Sequence, residues 1–520
     1  MSDTIPAQPP PSTPIRLILA WLVPAIAVVI TMRPVAEPIL DPDVWWHLRV
    51  GQWVVEHRAV PTMDPFTQLG PSTPWVAYSW LYEVVLFGLY SAFGLAGIIA
   101  YRVVLSLLIV RAIHAFVTRL EPRYLVAISL SGAAVLAVGA LFSERPWLIT
   151  ILFGVITLHA IVVLRQPGVE RLPAWIWTLP ILYVLWANVH IQFVYGLFLL
   201  VIACVAPWID ARLGWTQATD TAAWPRSRRY RQLVGLAALC CLATLVNPYG
   251  VRIYFVIVEY ATQPGPFRFV NELKALEFRE PSDWVMLGLT AAACVVLGRR
   301  TSTAFLPMLL LSTAVFAFRA RRDLWFVVLA DLLVLGSAGP REVPAQDRFT
   351  PGPMGRVAIL SGLALLVAAL AWVRDLGPAR LEEAVARKFP VAAARHVAEN
   401  DYPGPLFNDF NWGGYLMWAL PTLPVAIDGR TNLHGDARLE RYAEVWSGVP
   451  ARRTIDPVTR EMRTLPGWDT DPDLSAAGVI IAEKEQALVS LLRLDSRFRQ
   501  VHDDGVAVVF VRTSQPTPKK

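Results

Sequence analysis

The chain of 520 residues is 55% hydrophobic and only 17% charged, with a mean hydropathy of +0.45. A water-soluble protein carries roughly a quarter charged residues, so an ordinary globular enzyme is excluded and several membrane spans are required. The net charge of +6 does not indicate a nucleic-acid partner, because the basic residues sit in short loops between apolar runs, where membrane orientation places them.

The Pro-rich start, residues 1–14, is expected to be disordered, and no small-residue cleavage site follows the next apolar run. Residues 15–375 read as a transmembrane domain whose first span covers 15–32. A polar-aromatic loop follows at 33–75 and carries Asp41-Pro42-Asp43-Val44-Trp45-Trp46-His47-Leu48. Carboxylates at a lipid boundary are costly, so this stretch is read as the reactive end of the molecule. His47 to Glu56 then reads as an amphipathic helix lying on the membrane surface.

Further spans are expected near 78–93, 96–116, 124–142, 147–164, 174–187, 190–207, 232–247, 283–299, 303–318, 322–337 and 355–374. That makes about twelve, within a range of about 11–13. Arg226, Arg228, Arg229 and Arg231 make 208–231 a cytoplasmic loop, and Arg165/Arg171 and Arg299-Arg300 mark two more cytoplasmic turns. Counting from these puts Arg145-Pro146, Asn188 to His190, Asn247 to Gly250, Arg319 to Arg322 and everything after 375 on the outer side. Three spans between 76 and 142 would instead put Arg145 inside, unless one is re-entrant or 124–142 holds two short helices. Loop charge favours the outer placement.

Past 375 the composition changes. Leu381 to Lys388 reads as a soluble helix, and 477–481, 483–494 and 505–512 read as strand, helix and strand. Residues 376–514 are therefore expected to form a small extracytoplasmic α/β domain, with a disordered tail at 515–520. Cys204, Cys240, Cys241 and Cys294 all lie in apolar runs without metal-ligand spacing and read as small buried hydrophobes. No internal repeat or paired broken spans of a transporter are evident.

Asp41 is read as the N-cap of the helix and Asp43 as its first-turn acid, fixed in direction and ionised. Such a carboxylate can serve as a general base or help hold a cation. His47 lies one turn on, on the same face. Trp46 either anchors the interface or stacks on a sugar ring. Glu83, at the start of an apolar run, requires a polar cavity or a partner. Arg145, Asn188, His190 and Arg319, with Arg321 and Arg322, either anchor headgroups or gather around a phosphate.

Together with Gly51, Val60-Pro61-x-x-Asp64-Pro65-Phe66, Trp80-Leu81-x-Glu83, Arg145-Pro146, Leu185 to His190, Asn247-Pro248-Tyr249-Gly250, Asn408-x-Phe410-x-Trp412-Gly413-Gly414-Tyr415-Leu416 and Asp428-Gly429-Arg430, the acidic stretch resembles bacterial membrane glycosyltransferases of the GT-C superfamily. The motifs run in order along nearly the whole chain. The resemblance implies an α-helical polytopic enzyme of the bacterial inner membrane, with its active site and C-terminal domain on the periplasmic side. It would use a polyprenyl-phosphate-linked sugar donor and a glycan, lipid or protein acceptor.

By this likeness Asp41 and Asp43 match the family's acidic loop motif. Trp412, Tyr415, Asp428 and Arg430 join the substrate-binding candidates. The block at 408–428 faintly echoes the acceptor-binding region of oligosaccharyltransferases but lacks its Trp-Trp-Asp, and two glycines for tight packing are the other reading. No cofactor is assigned; a divalent cation (Mg or Mn), if used, would fall to Asp41 and Asp43. A ligase or polymerase of lipid-linked glycans, and a non-catalytic transporter or scaffold, are the alternatives.

Overall fold

A computed structural model describes residues 13–32, 41–166, 172–213, 227–300, 303–340, 342–455 and 462–513. Most of the two ends expected to be disordered, and Arg171 and Arg226, lie outside the described residues, although the first helix already begins at Thr13.

The helices of the first part are α1 (Thr13–Thr31), α2 (Val44–His57), α3 (Trp80–Phe93), α4 (Leu95–Leu120), α5 (Tyr124–Val138), α6 (Trp147–Arg165), α7 (Leu179–Val189) and α8 (Phe193–Leu213). There follow α9 (Arg228–Ala243), α10 (Arg252–Thr262), α11 (Gly265–Phe269), α12 (Pro281–Arg300), α13 (Phe305–Arg319), α14 (Leu324–Gly336) and α15 (Pro353–Val373). Every apolar stretch marked in the sequence falls on a helix, because a run that must cross lipid can satisfy its backbone only within itself. Among the described residues, seven helices are long and apolar enough to cross a membrane, and three more are apolar but shorter, α3 among them.

By internal packing the chain forms two units. The first comprises Met1–Val35, Ile99–Asn247 and Glu272–Leu376. Its centre is α14, buried nearly all round and packed on α5, α12 and α13. Asp331, fully buried in α14, accepts a hydrogen bond from Thr290 of α12 at 2.8 Å. Of the four cysteines only Cys240 is fully buried; Cys241 and Cys294 point outward from α9 and α12, so burial was the wrong expectation for these two.

The second unit comprises Ala36–Ile98, Pro248–Asn271 and Gly377–Lys520. Its C-terminal part adds α16 (Pro378–Lys388), α17 (Val391–Asn400), β1 (Leu406–Asn408), α18 (Gly413–Ala419), α19 (Thr431–Trp446), β2 (Arg452–Ile455), β3 (Met462–Leu465), α20 (Pro472–Ala476), β4 (Val479–Glu483), α21 (Ala487–Leu492), β5 (Phe498–Asp503) and β6 (Ala507–Arg512). Four strands form a mixed sheet in the order β1-β4-β6-β5, with β1 parallel to β4 and the rest antiparallel. The apolar runs of β4 and β6 take its middle, as strands covered on both faces do. Phe407 of β1 stacks on Tyr442 and Trp446 of α19, with ring centroids at 5.2 and 5.3 Å, and Ile480 and Phe510 complete that core.

The loop between α2 and α3 belongs to this unit and is tied to it at several points. Tyr249, from the Asn-Pro-Tyr-Gly motif, donates to the Pro61 carbonyl at 2.6 Å and accepts from the Ala77 amide at 2.9 Å. Gln68 donates its backbone amide to Val425, and the Asn408 side chain clasps Ala426 and Ile427 at 2.8 Å each. The helix expected to lie on the membrane surface, α2, instead buries Trp45, Trp46, Leu48, Val50 and Val54, and packs on α3 and α18. An apolar stripe is satisfied equally by lipid or protein, and here protein covers it.

Candidate functional site

The acidic stretch enters α2 two positions later than its sequence suggests. The helix starts at Val44, so Asp43 takes the N-cap position, with φ −75 and ψ −16, yet its side chain makes no capping bond. Asp41 serves the turn instead, accepting the Asp43 amide at 2.9 Å. The two carboxylates thus part company: Asp41 is buried and accepts from the backbone, and Asp43 is half-buried at the helix start.

Three glycines set what stands beside them. A Cβ at Gly429 would collide with the Asp43 carboxylate, so that carboxylate lies directly against the Gly429 backbone. A Cβ at Gly413 would run into the Ile427 carbonyl, and one at Gly414 would meet Pro42 and Trp46 backbone atoms at 3.2 Å. The Trp412-Gly413-Gly414-Tyr415 motif therefore brings the backbone of α18 onto the first turn of α2. Tyr415 stacks on Phe389 at 5.3 Å and meets Trp45 edge-on at 5.1 Å, while Trp412 donates to the Lys388 carbonyl at 3.1 Å.

One turn into α2, His47 Nδ1 lies 3.2 Å from Glu83 Oε1 of α3. Gly51 makes this possible, since a Cβ there would strike the Glu83 carbonyl. Trp46 covers the His47 ring at 3.6 Å and Tyr82 meets it edge-on at 4.9 Å. Glu83 is 1% exposed, and its Oε2 has no hydrogen-bond partner among the described residues. A buried carboxylate oxygen in this state is a costly feature for a merely structural pair.

Beyond Gly429 lies a buried ion network. Arg430 forks onto Asp428, with Nε to Oδ1 at 3.0 Å and Nη2 to Oδ2 at 2.6 Å, and its Nη1 reaches Asp64 Oδ1 at 3.0 Å. The guanidinium lies over Trp75 at 4.4 Å and Phe66 at 5.3 Å. Asp64 also accepts the Phe66 and Thr67 amides and the Thr67 hydroxyl. His434 Nε2 accepts the Asp428 amide at 3.1 Å. Burial alone would raise the Asp428 carboxyl, but the Arg430 charge overrides it and holds the group well below the usual range. In Arg430 the same two acids outweigh burial and raise the guanidinium further.

Asp409, which no motif singled out, accepts the Asn411 amide at 2.8 Å at the end of β1. Burial pushes it up to about 6, against the Asn411 and Phe410 amides, with Glu483 adding to the rise. An unfolded Asp ionises near ~3.9, so between about pH 4 and 6 the folded chain keeps a proton that the unfolded chain has lost. Stability from this group therefore falls as pH rises through that window, by on the order of 2–3 kcal/mol. Asp409→Asn mimics the protonated form and is expected to raise the thermal midpoint at pH 7.5 but not at pH 4. Equal shifts at both pH values, measured by tryptophan fluorescence, would contradict this.

In the first unit, Arg145 pairs with Glu272 at 2.7 Å and lies over Trp147 at 5.2 Å. His190 Nδ1 is 2.9 Å from the Thr150 hydroxyl, which also accepts Trp186 Nε1 at 2.8 Å. Asn188 donates to the Val184 and Val246 carbonyls at 2.8 Å each, joining α7 to the end of α9. Arg319 ends α13, just before Arg322 and Asp323, which lie 3.8 Å apart; Asp323 also accepts Tyr195 at 2.8 Å. The four predicted polar residues of this unit are thus placed by helix ends and by partners such as Glu272 and Thr150, neither of which the sequence singled out.

Among the described residues no group of three or more His, Cys, Asp or Glu is arranged to hold a metal ion. No protein-family model matches the sequence, and no curated protein matches it. Solved structures do resemble it. ArnT from Cupriavidus metallidurans bound to undecaprenyl phosphate aligns with a TM-score of 0.51 and 13% identity, over 95% of this chain and 99% of that one. The Archaeoglobus fulgidus oligosaccharyltransferase tethered with an acceptor peptide containing the NVT sequon aligns with 0.53 and 11%, over 94% and 79%. A mutant of the arabinofuranosyltransferase AftD from Mycobacteria aligns with 0.51 and 14%, over 95% of this chain and 41% of that one. Likeness at these identities shows the fold alone: the polytopic helical fold of these structures, with a small strand-containing C-terminal region.

Proposed function

We propose that the chain is a membrane glycosyltransferase that moves a sugar from a polyprenyl-phosphate donor to an extracytoplasmic acceptor, with Asp43 as the base. The observation that carries this reading is the placement of the two acids: Asp41 accepts the backbone amide of Asp43, and the half-buried Asp43 carboxylate lies against the Gly429 backbone. Asp43 takes the proton of the acceptor hydroxyl as that oxygen bonds to the anomeric carbon. The bond from that carbon to the phosphate oxygen breaks, and polyprenyl phosphate leaves with the electron pair. Arginine is suited to balance charge on such a phosphate.

The fold supports this class, since one of the similar structures was solved with undecaprenyl phosphate and another with an acceptor peptide. Asp41 and Asp43 are joined by no third His, Cys, Asp or Glu among the described residues, so no step is drawn through a cation.

Helix length supports the outer placement proposed for this site. With 14 residues, α3 is about 21 Å long, short of the ~30 Å hydrocarbon core. If α3 does not cross, α4 and α5 are the two crossings between residues 41–79 and Arg145, which agrees with a common side for both segments. The inner bacterial membrane and a periplasmic domain at 376–514 complete the proposal.

The assay is transfer from a panel of polyprenyl-phosphate sugars by the purified chain, and no turnover of any would sink the reading. Gly429→Ala gives a finer check. Its methyl must displace the Asp43 carboxylate, and a misplacement of about 1 Å can cost ~100-fold in rate. A fall of ten- to a hundredfold in kcat with an unchanged thermal midpoint is expected.

A further inference from the structure

The second unit holds a cleft of about 520 Å³ that the proposed chemistry does not use, formed where the 65–71 turn meets Pro405, Pro424, Arg438 and Asp473. That volume lies within the ~300–1,000 Å³ range of small-molecule sites. Its walls are mixed, apolar prolines beside a few polar side chains. Pro65, Pro71, Pro405 and Pro424 present flat C–H surfaces without amide donors, and Leu69 adds to them.

The polar groups are few and convergent. Arg438 and Asp473 pair at 2.9 Å with side chains 16% and 23% exposed. Arg438 is held by the Ala426 carbonyl at 2.9 Å, and Asp473 by Arg441 at 2.6 Å and the Tyr442 hydroxyl at 2.8 Å. Gln68 spends its amide N–H groups on the Leu406 and Pro424 carbonyls.

These features select a ligand class by elimination. Arg438 is already neutralised by Asp473, so the cleft offers no net charge to an anion or a cation. A wholly apolar ligand would strip water from the ion pair and return nothing for it. A neutral polyol with C–H faces and hydroxyls that both donate and accept matches the prolines and the fork together.

We propose that this cleft binds a neutral saccharide and is an acceptor subsite. The assignment rests on the glycosyl-transfer reading and adds that the acceptor is itself a glycan. The cleft also has a route to the acidic motif. Thr67 on its wall bonds Asp64, which bonds Arg430, and the next residue, Gly429, lies against Asp43.

The test is saturation-transfer NMR on the full chain in nanodiscs. The probes are methyl glycosides of glucose, galactose, mannose, arabinose and N-acetylglucosamine, with maltose and cellobiose. At least one should show transfer to its ring protons, equally with wild type and Asp43→Asn. Leu69→Trp and Pro71→Trp, which fill the cleft from opposite sides of the turn, should each weaken that binding tenfold or more. The proposal is overturned if no probe binds, or if neither variant alters binding. Because Asp43→Asn keeps the cleft intact, failure of the transferase reading appears in the sugar-transfer assay and not in this one.

Discussion

Asp43→Asn is expected to lower sugar transfer by about 10²–10⁴-fold, the usual contribution of a positioned general base. The amide is nearly isosteric with the carboxylate, so membrane insertion and thermal midpoint should not change. Asp41→Asn is the matched control. Its amide oxygen can still accept the Asp43 amide, which Asp41 now holds at 2.9 Å, so its loss should be tenfold or less. Asp41→Ala removes the turn's acceptor and should cost about 1 kcal/mol of stability as well. Initial rates with a polyprenyl-phosphate sugar at saturating acceptor decide the matter. Near-normal turnover by Asp43→Asn, or a greater loss in Asp41→Asn than in Asp43→Asn, would remove Asp43 from the role of base.

That contrast also marks how far the sequence could be read. The membrane helices were legible because a run such as 147–164 must be apolar throughout and has no other way to pair its backbone. β4 and β6 were legible for a related reason, being short runs covered on both faces. β1, three residues at an edge, has too little pattern to show, and the β2–β3 pair is as short. The site was legible in part. The residue types at 41–47 pointed to chemistry, but the division of labour between Asp41 and Asp43 turns on a helix start displaced by two residues. Asp428 and Arg430 were read as substrate ligands through the family likeness of the Asp428-Gly429-Arg430 triplet. Their partner Asp64 lies 366 positions from Arg430, and no local pattern reports a contact at that separation. Gly429 was visible only as the middle of that triplet, since its meaning depends on what stands opposite its missing side chain.

The packing of Arg430 leads to the second large effect. Arg430→Met keeps the bulk of the side chain over Trp75 and Phe66 but leaves Asp64 and Asp428 buried without their cation. Breaking a buried pair this way costs about 3–5 kcal/mol, because the remaining charge is uncompensated. The pH dependence separates this cause from lost packing. In the native chain Asp428 is held low, so its contribution is complete above the unfolded value near ~3.9 and is lost only as pH falls below that. In Arg430→Met burial acts on Asp428 unopposed and raises it, so the variant regains stability as pH falls and the group takes a proton. The deficit in thermal midpoint should therefore shrink between pH 8 and pH 5, and Asp64→Asn added to Arg430→Met should shrink it at every pH. A deficit that stays constant or grows on acidification would mean that the loss comes from packing alone. Since Gly429 sits between this network and Asp43, Arg430→Met should also lower kcat under conditions where the variant is still folded. Arg430→Lys, which restores charge but not the fork, should recover stability in part and turnover less.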